Sequence, residues 1–271
     1  MSIKDILVHV DTSPACAERV RLTMYLAHRF GAFVTGVFVL PSPAMLIPPD
    51  SGTAALTIAT YLAELEQAAA ETGREFLDSL HGDGLEGTWH LEHGQAAFNI
   101  TRRARPMDLV VLGQHNPDLP TVLTVPEDVV LSCGLPVIIV PFAGQFDSVG
   151  ENAAIAWNSS RESARSVHDA LPLIIPQRKV TVVSINPEPD DEEIRDDLVC
   201  HLARQGFDTQ VESHVTKRFS PAELILSRVV DNSHDLVVMG AYGHSRLRET
   251  ILGGMTRDIL RSMTVPVLMA H

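Results

Sequence analysis

The sequence predicts two tandem α/β domains, each a five-stranded parallel sheet flanked by helices, and three observations lead there. Short apolar runs alternate with segments of helical period, the pattern of strand–helix–strand units joined by right-handed crossovers. The order of those segments runs twice along the chain. The two passes also share letters. Asp108-Leu109-Val110-Val111-Leu112 is matched by Asp235-Leu236-Val237-Val238-Met239, and Leu135-Pro136-Val137-Ile138 by Val265-Pro266-Val267-Leu268. The first domain is assigned residues 1–142 and the second 151–271, with the polar, glycine-bearing stretch 142–150 as linker.

In the first pass, residues 3–10 read as a buried strand. Ser13 is placed to cap the next helix, with Pro14 at its first position. Ala17, Val20, Leu22, Met24, Leu26 and Ala27 form that helix's apolar face, and Gly31 stops it. Residues 33–39 form the second strand, a Pro-rich stretch follows at 41–49, and a long Ala/Leu/Glu-rich helix spans about 53–80. A glycine loop then leads to a weaker strand at 88–93, a helix at 96–104 and a fourth strand at 108–112. A helix at 126–132 leads to a fifth strand at 136–140. The second pass places strands at 153–157, 179–185, 208–215, 235–239 and 265–268. Its helices fall at 161–171, 192–204 and 221–230, with a last one opening at Gly253-Gly254.

The charge balance, 21 Lys and Arg against 34 Asp and Glu for a formal −13, opposes a phosphate backbone or an anionic membrane as partner. It does not oppose a small anion held by local N–H groups. Cys16, Cys133 and Cys200 form no CxxC pair, which suits a reducing cytosol rather than a disulfide framework. The first residues run into an apolar strand without a signal-peptide pattern, and no apolar run approaches the ~18 residues of a membrane span. A cytoplasmic protein is expected.

The most informative stretch is Met239-Gly240-Ala241-Tyr242-Gly243-His244-Ser245-Arg246, followed by Gly253-Gly254-Met255-Thr256. Gly240 stands at the carboxyl end of an expected strand, where open α/β sheets bind ligands. Gly240 and Gly243 allow close backbone approach and positive φ. Gly253-Gly254 opens a helix whose apolar positions are Met255, Ile259, Leu260 and Met263. A helix N-terminus of that kind offers free N–H groups and partial positive charge, and polyphosphate suits it.

This pattern resembles the universal stress protein family, whose signature is G-x-x-G, nine residues, then G-S/T. Gly240, Gly243 and Gly253 match it, and Gly254 departs from its Ser/Thr. The resemblance covers residues 3–140 and 153–269 and implies the Rossmann-like, adenine nucleotide alpha hydrolase-like fold. It further implies ATP as ligand, or AMP or ADP, with Mg2+ accompanying the phosphates. Carried over by position, Ala156 and Asn158 would lie beside the adenosine, Asn158 replacing the family's usual Asp, and Val183 would present backbone to the adenine. Met239 and Gly240 would flank the ribose and α-phosphate. Gly243, Gly253, Gly254, Met255 and Thr256 would hold the phosphates, with His244 and Arg246 in the intervening loop and Arg246 a candidate phosphate partner. The resemblance also implies pairing of the last strands of two domains. Val137–Val140 and residues 267–269 would do so internally as a pseudo-dimer, and a homodimer is left open.

At the matching places the first half carries Gly113, Asn116, Pro126 and Glu127, which lack the cradle. Pro126 has no N–H, and Glu127 and Asp128 put carboxylates in the first helical turn. Asp11 does match the family's adenosine-side acid. No metal-ligand spacing is found among the twelve histidines, and no G-x-S-x-G elbow or glycine fingerprint follows a first strand, so no catalytic residue is named. The reading is a nucleotide-binding stress or signalling protein, regulatory, with at most weak ATP hydrolysis. The alternatives are an interaction module that binds no nucleotide and an enzyme acting on adenylated substrates.

Overall fold

The computed structural model describes residues 3–46, 54–115, 126–241 and 254–271. The chain divides into two compact units, Ser2–Leu135 and Pro136–His271. The first unit holds β1 (Asp5–His9), α1 (Cys16–Phe30), β2 (Phe33–Leu40), α2 (Pro43–Leu46) and α3 (Ala54–Gly82). It continues through β3 (Gly87–His93), α4 (Ala96–Ala104), β4 (Leu109–Gly113) and α5 (Pro126–Cys133). Its strands lie in the order β3-β2-β1-β4 and all pair in parallel.

The second unit holds β5 (Val137–Val140), β6 (Asn152–Ala156), α6 (Arg161–Ala170), β7 (Lys179–Ile185) and α7 (Asp191–Arg204). It continues through β8 (Asp208–His214), α8 (Pro221–Asp231), β9 (Leu236–Gly240), α9 (Gly254–Ser262) and β10 (Val267–Ala270). The order is β5-β10-β9-β6-β7-β8. β5 pairs antiparallel with β10 through Val267↔Ile139, Leu268↔Ile138 and Met269↔Val137, the internal pairing that the sequence led us to expect. The other pairs are parallel. Both repeats are thus parallel α/β sheets flanked by helices.

The central strands are buried on both faces, as apolar runs require in a parallel sheet: Ile6, Leu7, Val8 and Leu109–Val111 are fully buried, as are Leu236, Val237 and Val238. The repeated Asp has a repeated structural task. Asp108 Oδ2 accepts from the N–H groups of Lys4 (2.7 Å) and Asp5 (3.1 Å). Asp235 accepts from those of Glu151 (2.9 Å) and Asn152 (3.0 Å). Each aspartate ties the entry of one central strand to the entry of its neighbour.

Two expectations for α1 are corrected. Ser13 does not cap it: the N-cap is Ala15, without a side-chain bond. Asp11 captures Ser13 instead, its Oδ1 accepting from the Ser13 N–H (2.9 Å) and Oγ (2.5 Å). The buried stripe is also rotated. Leu22, Leu26 and Ala27 are buried, but Ala17 is exposed and Val20 and Met24 are only half-buried. Cys16, Arg19 and Thr23 complete the stripe at helical spacing. A charged side chain can occupy it because a carboxylate waits inside.

Candidate functional site

Three strands bring three of the sequence-predicted site residues into one row. Ala156 of β6 pairs with Met239 of β9 on one side and Val183 of β7 on the other. All three are buried at the carboxyl end of the sheet. The row stands where β6 and β9 diverge to opposite connections, the switch point at which open sheets receive ligands. The Val183 carbonyl already accepts from the Trp157 N–H at 2.9 Å, so one lone pair is engaged.

Beyond the row the chain turns sharply into α6. Asn158 Oδ1 accepts from Ser160 Oγ at 2.8 Å and from the Ser160 N–H at 3.4 Å. Ser159 takes a φ of 56°, a left-handed conformation that is uncommon outside glycine. With the turn set, Ser160 caps α6 by accepting from the Ser163 N–H at 3.1 Å. Trp157 Nε1 and Ser159 Oγ are buried without a partner among the described residues. Sequence reasoning passed over both, although the Ser159-Ser160 pair after a strand is itself a turn signal.

Gly240 is explained differently from the sequence expectation. Its φ is not positive. A first side-chain carbon there would lie 2.5 Å from Glu162 C and Ser163 N, so the glycine admits the first turn of α6. Ala241 follows, buried, its N–H donating to the Ala270 carbonyl (2.9 Å) while its own carbonyl meets His271 Nδ1 (3.0 Å). Gly243, His244, Arg246 and Gly253 lie outside the described residues.

The far shore is α9. Gly254 is exposed, and a side-chain carbon built on it would meet no described residue within 4 Å. No acidic residue stands in the first turn of α9. Met255 is half-buried, and Thr256 is buried with Ile259 and Leu260 on the helix's inner face. In α5, the matching helix of the first unit, Pro126 opens the helix and Glu127 and Asp128 follow. The α9 start therefore retains the positive end that suits an anion, and the α5 start does not. Among the described residues no cluster of His, Cys, Asp and Glu is arranged to hold a metal ion.

The first unit presents a different chemistry at the end of β1. Arg19 Nη2 lies 2.9 Å from Asp11 Oδ2, and His9 Nδ1 lies 3.7 Å from the same oxygen. Burial pushes the His9 imidazole down to about 4, against the pull of Asp11. Burial alone would raise the Asp11 carboxyl, but Arg19, His9 and the Ser13 hydrogen bonds bring it down to about 2. Burial likewise opposes the charge on Arg19, and Asp11 and Cys16 outweigh it. Below this cluster a groove of about 750 Å³ runs between α1 and α3, with Val10, Asp11 and Thr12 at its head and Val20, Met24 and Phe76 along it.

The model of the universal stress protein family matches residues 2–141 and 161–271. The stretch between the two matches contains β6 and Asn158. Universal stress protein Slr1230 of Synechocystis sp. is 35% identical over 94 residues, 35% of this chain and 32% of that protein, so the match spans about a third of its length. Among solved structures, a universal stress protein from Archaeoglobus fulgidus superposes with a TM-score of 0.77 at 16% identity, over 98% of this chain and 95% of that one. A functionally unknown protein of Pseudomonas aeruginosa, PA1789, gives 0.62 at 17% identity, over 99% and 92%. At those identities the likeness is one of fold. Among the described residues no helix is long and apolar enough to cross a membrane.

Proposed function

The chain belongs to the universal stress protein family, and from that premise we propose that its second unit binds ATP, with AMP or ADP as lesser guests. The role is regulatory, in the cytoplasm, with Mg2+ carried on the phosphates and at most slow hydrolysis. One observation carries the proposal. The first turn of α9 carries no acidic residue, whereas its counterpart α5 begins with a proline and two carboxylates. Ala156, Val183 and Met239 supply an apolar row for a base, and Gly254, Met255 and Thr256 supply the helix end for the phosphates. Gly243, His244, Arg246 and Gly253 complete the cradle in this reading.

A second reading has support of its own. Gly240 and Asn158 both have structural employment, one admitting α6 and the other holding Ser160. An interaction module without nucleotide would keep both residues. Titration calorimetry of the full chain with ATP and AMP separates the readings. Binding of one nucleotide per chain, lost in Gly243→Val and Gly253→Val with the fold intact, upholds the first. Equal binding by parent and variants displaces the site, and no binding by the parent leaves the second reading. Mass spectrometry of the freshly purified protein for co-purified nucleotide is a quicker check.

A further inference from the structure

The first unit contains a buried cation site that the chain fills itself. Arg19 is 2% exposed and its guanidinium rests on Gly113, where a first side-chain carbon would collide with it. Asp11 Oδ2 faces Arg19 and His9, and Asp11 Oδ1 accepts from Ser13. Both oxygens of the carboxylate are therefore engaged within the chain. His9, 2% exposed, completes the wall.

The second unit shows what happens without this arginine. Strand register equates His9 with Ala156 and Gly113 with Gly240, because β1 and β6 pair alike with β4 and β9. Counting on through the matching serines, Ser13 and Ser160, Asp11 corresponds to Asn158 and Arg19 to Ser166. All three titratable side chains are thus replaced together by neutral ones. Ser166 turns back on its own helix, donating to the Ser163 carbonyl at 2.8 Å. The helix then begins at Arg161 and its first turn closes on Gly240. In the first unit the helix begins at Cys16, two positions later by the same count, and the guanidinium occupies the gap over Gly113.

We propose that the first unit is self-liganded: the Arg19 guanidinium, clamped by Asp11 and seated on Gly113, is a resident cation in a guanidinium-shaped site, and it takes the carboxylate that an outside ligand would need. Removing the side chain leaves a half-buried carboxylate without its cation beside a flat cavity. A planar guanidinium refills that cavity and an ammonium does not, because only the planar ion fills the flat space over Gly113 beside Asp11 Oδ2. That the first unit therefore takes no nucleotide rests on the functional reading above; the self-occupancy does not.

The test uses the full-length chain as Arg19→Ala, Asp11→Asn and the double variant. Hydrogen exchange of the β1 and β4 amides is followed with and without methylguanidinium or methylammonium at low millimolar concentration. In Arg19→Ala these amides exchange at least roughly tenfold faster, as expected for a half-buried carboxylate that has lost its cation. Methylguanidinium restores protection, methylammonium does not, and the double variant is milder than Arg19→Ala alone. Unchanged exchange in Arg19→Ala, or equal rescue by both cations, overturns the proposal. If Arg19→Ala does not accumulate folded, recovery in the double variant upholds it and failure of both overturns it. Protection of the first unit's amides by ATP in the parent would also overturn it. Absence of ATP protection in the second unit sinks only the nucleotide reading.

Discussion

At Gly240 a methyl group would press on the backbone of Glu162 and Ser163, while at Gly254 it would meet no described residue. Gly240→Ala is therefore expected to lose about 1–3 kcal/mol, read from urea unfolding, through overpacking alone. Gly254→Ser is expected to unfold at the parent's midpoint. If the nucleotide site is right, its hydroxyl tightens ATP by about 1 kcal/mol in calorimetry. His9 gives a pH signature. Its folded pKa of about 4 lies below the free value of 6.5, so between those values the unfolded chain binds more protons than the folded one. Stability is full above pH 6.5 and drains as pH falls towards 4, by on the order of 3 kcal/mol. His9→Gln should flatten that limb of a urea-midpoint profile, and a limb of unchanged slope would contradict the assignment. The glycine spacing was legible in the sequence, but the reason for Gly240 was not, because the backbone that crowds it arrives from a separate helix. Arg19 was legible in part: with Cys16, Leu22, Thr23 and Leu26 it keeps helical spacing, and a charge on that stripe marks a buried partner.

Two helices that begin after equivalent strands start differently because of one side chain each. Ser160 caps α6, and Ser160→Ala should cost about 1 kcal/mol in a urea titration, whereas Ser13→Ala removes no cap and acts only through Asp11. Comparing the two alanine variants in one titration series checks the distinction. The element order was legible apart from α2, which falls in the stretch read only as Pro-rich; elsewhere strands of apolar run alternate with helices of 3.6-residue period, save where β5 is followed directly by β6. The shared Asp-Leu-Val-Val letters announced the repeat, but not the purpose of the aspartate. Its backbone donors come from Lys4 and Asp5 in one unit and from Glu151 and Asn152 in the other, far off in sequence. Glu127 and Asp128 in the first turn of α5 were read correctly from residue types.

For the whole molecule, the pairing of β5 with β10 decides where the chain is safely divided. A fragment beginning at Glu151 lacks β5 and leaves the apolar β10 as an uncovered edge, so it is expected to self-associate on size exclusion. The intact chain keeps the pair and is expected to self-associate less than that fragment; equal behaviour of the two would refute this. The antiparallel register could not be read from sequence, because four-residue apolar strands fit many partners and only three-dimensional closure chooses one. The same pairing bears on how the protein is made. Val137–Val140 leaves the ribosome a whole repeat before Val267–Ala270 does. Throughout translation of the second repeat, then, a fully apolar strand waits for a mate that does not yet exist, and chaperone demand should peak there. Damage to β5 would accordingly show first as poor yield from living cells.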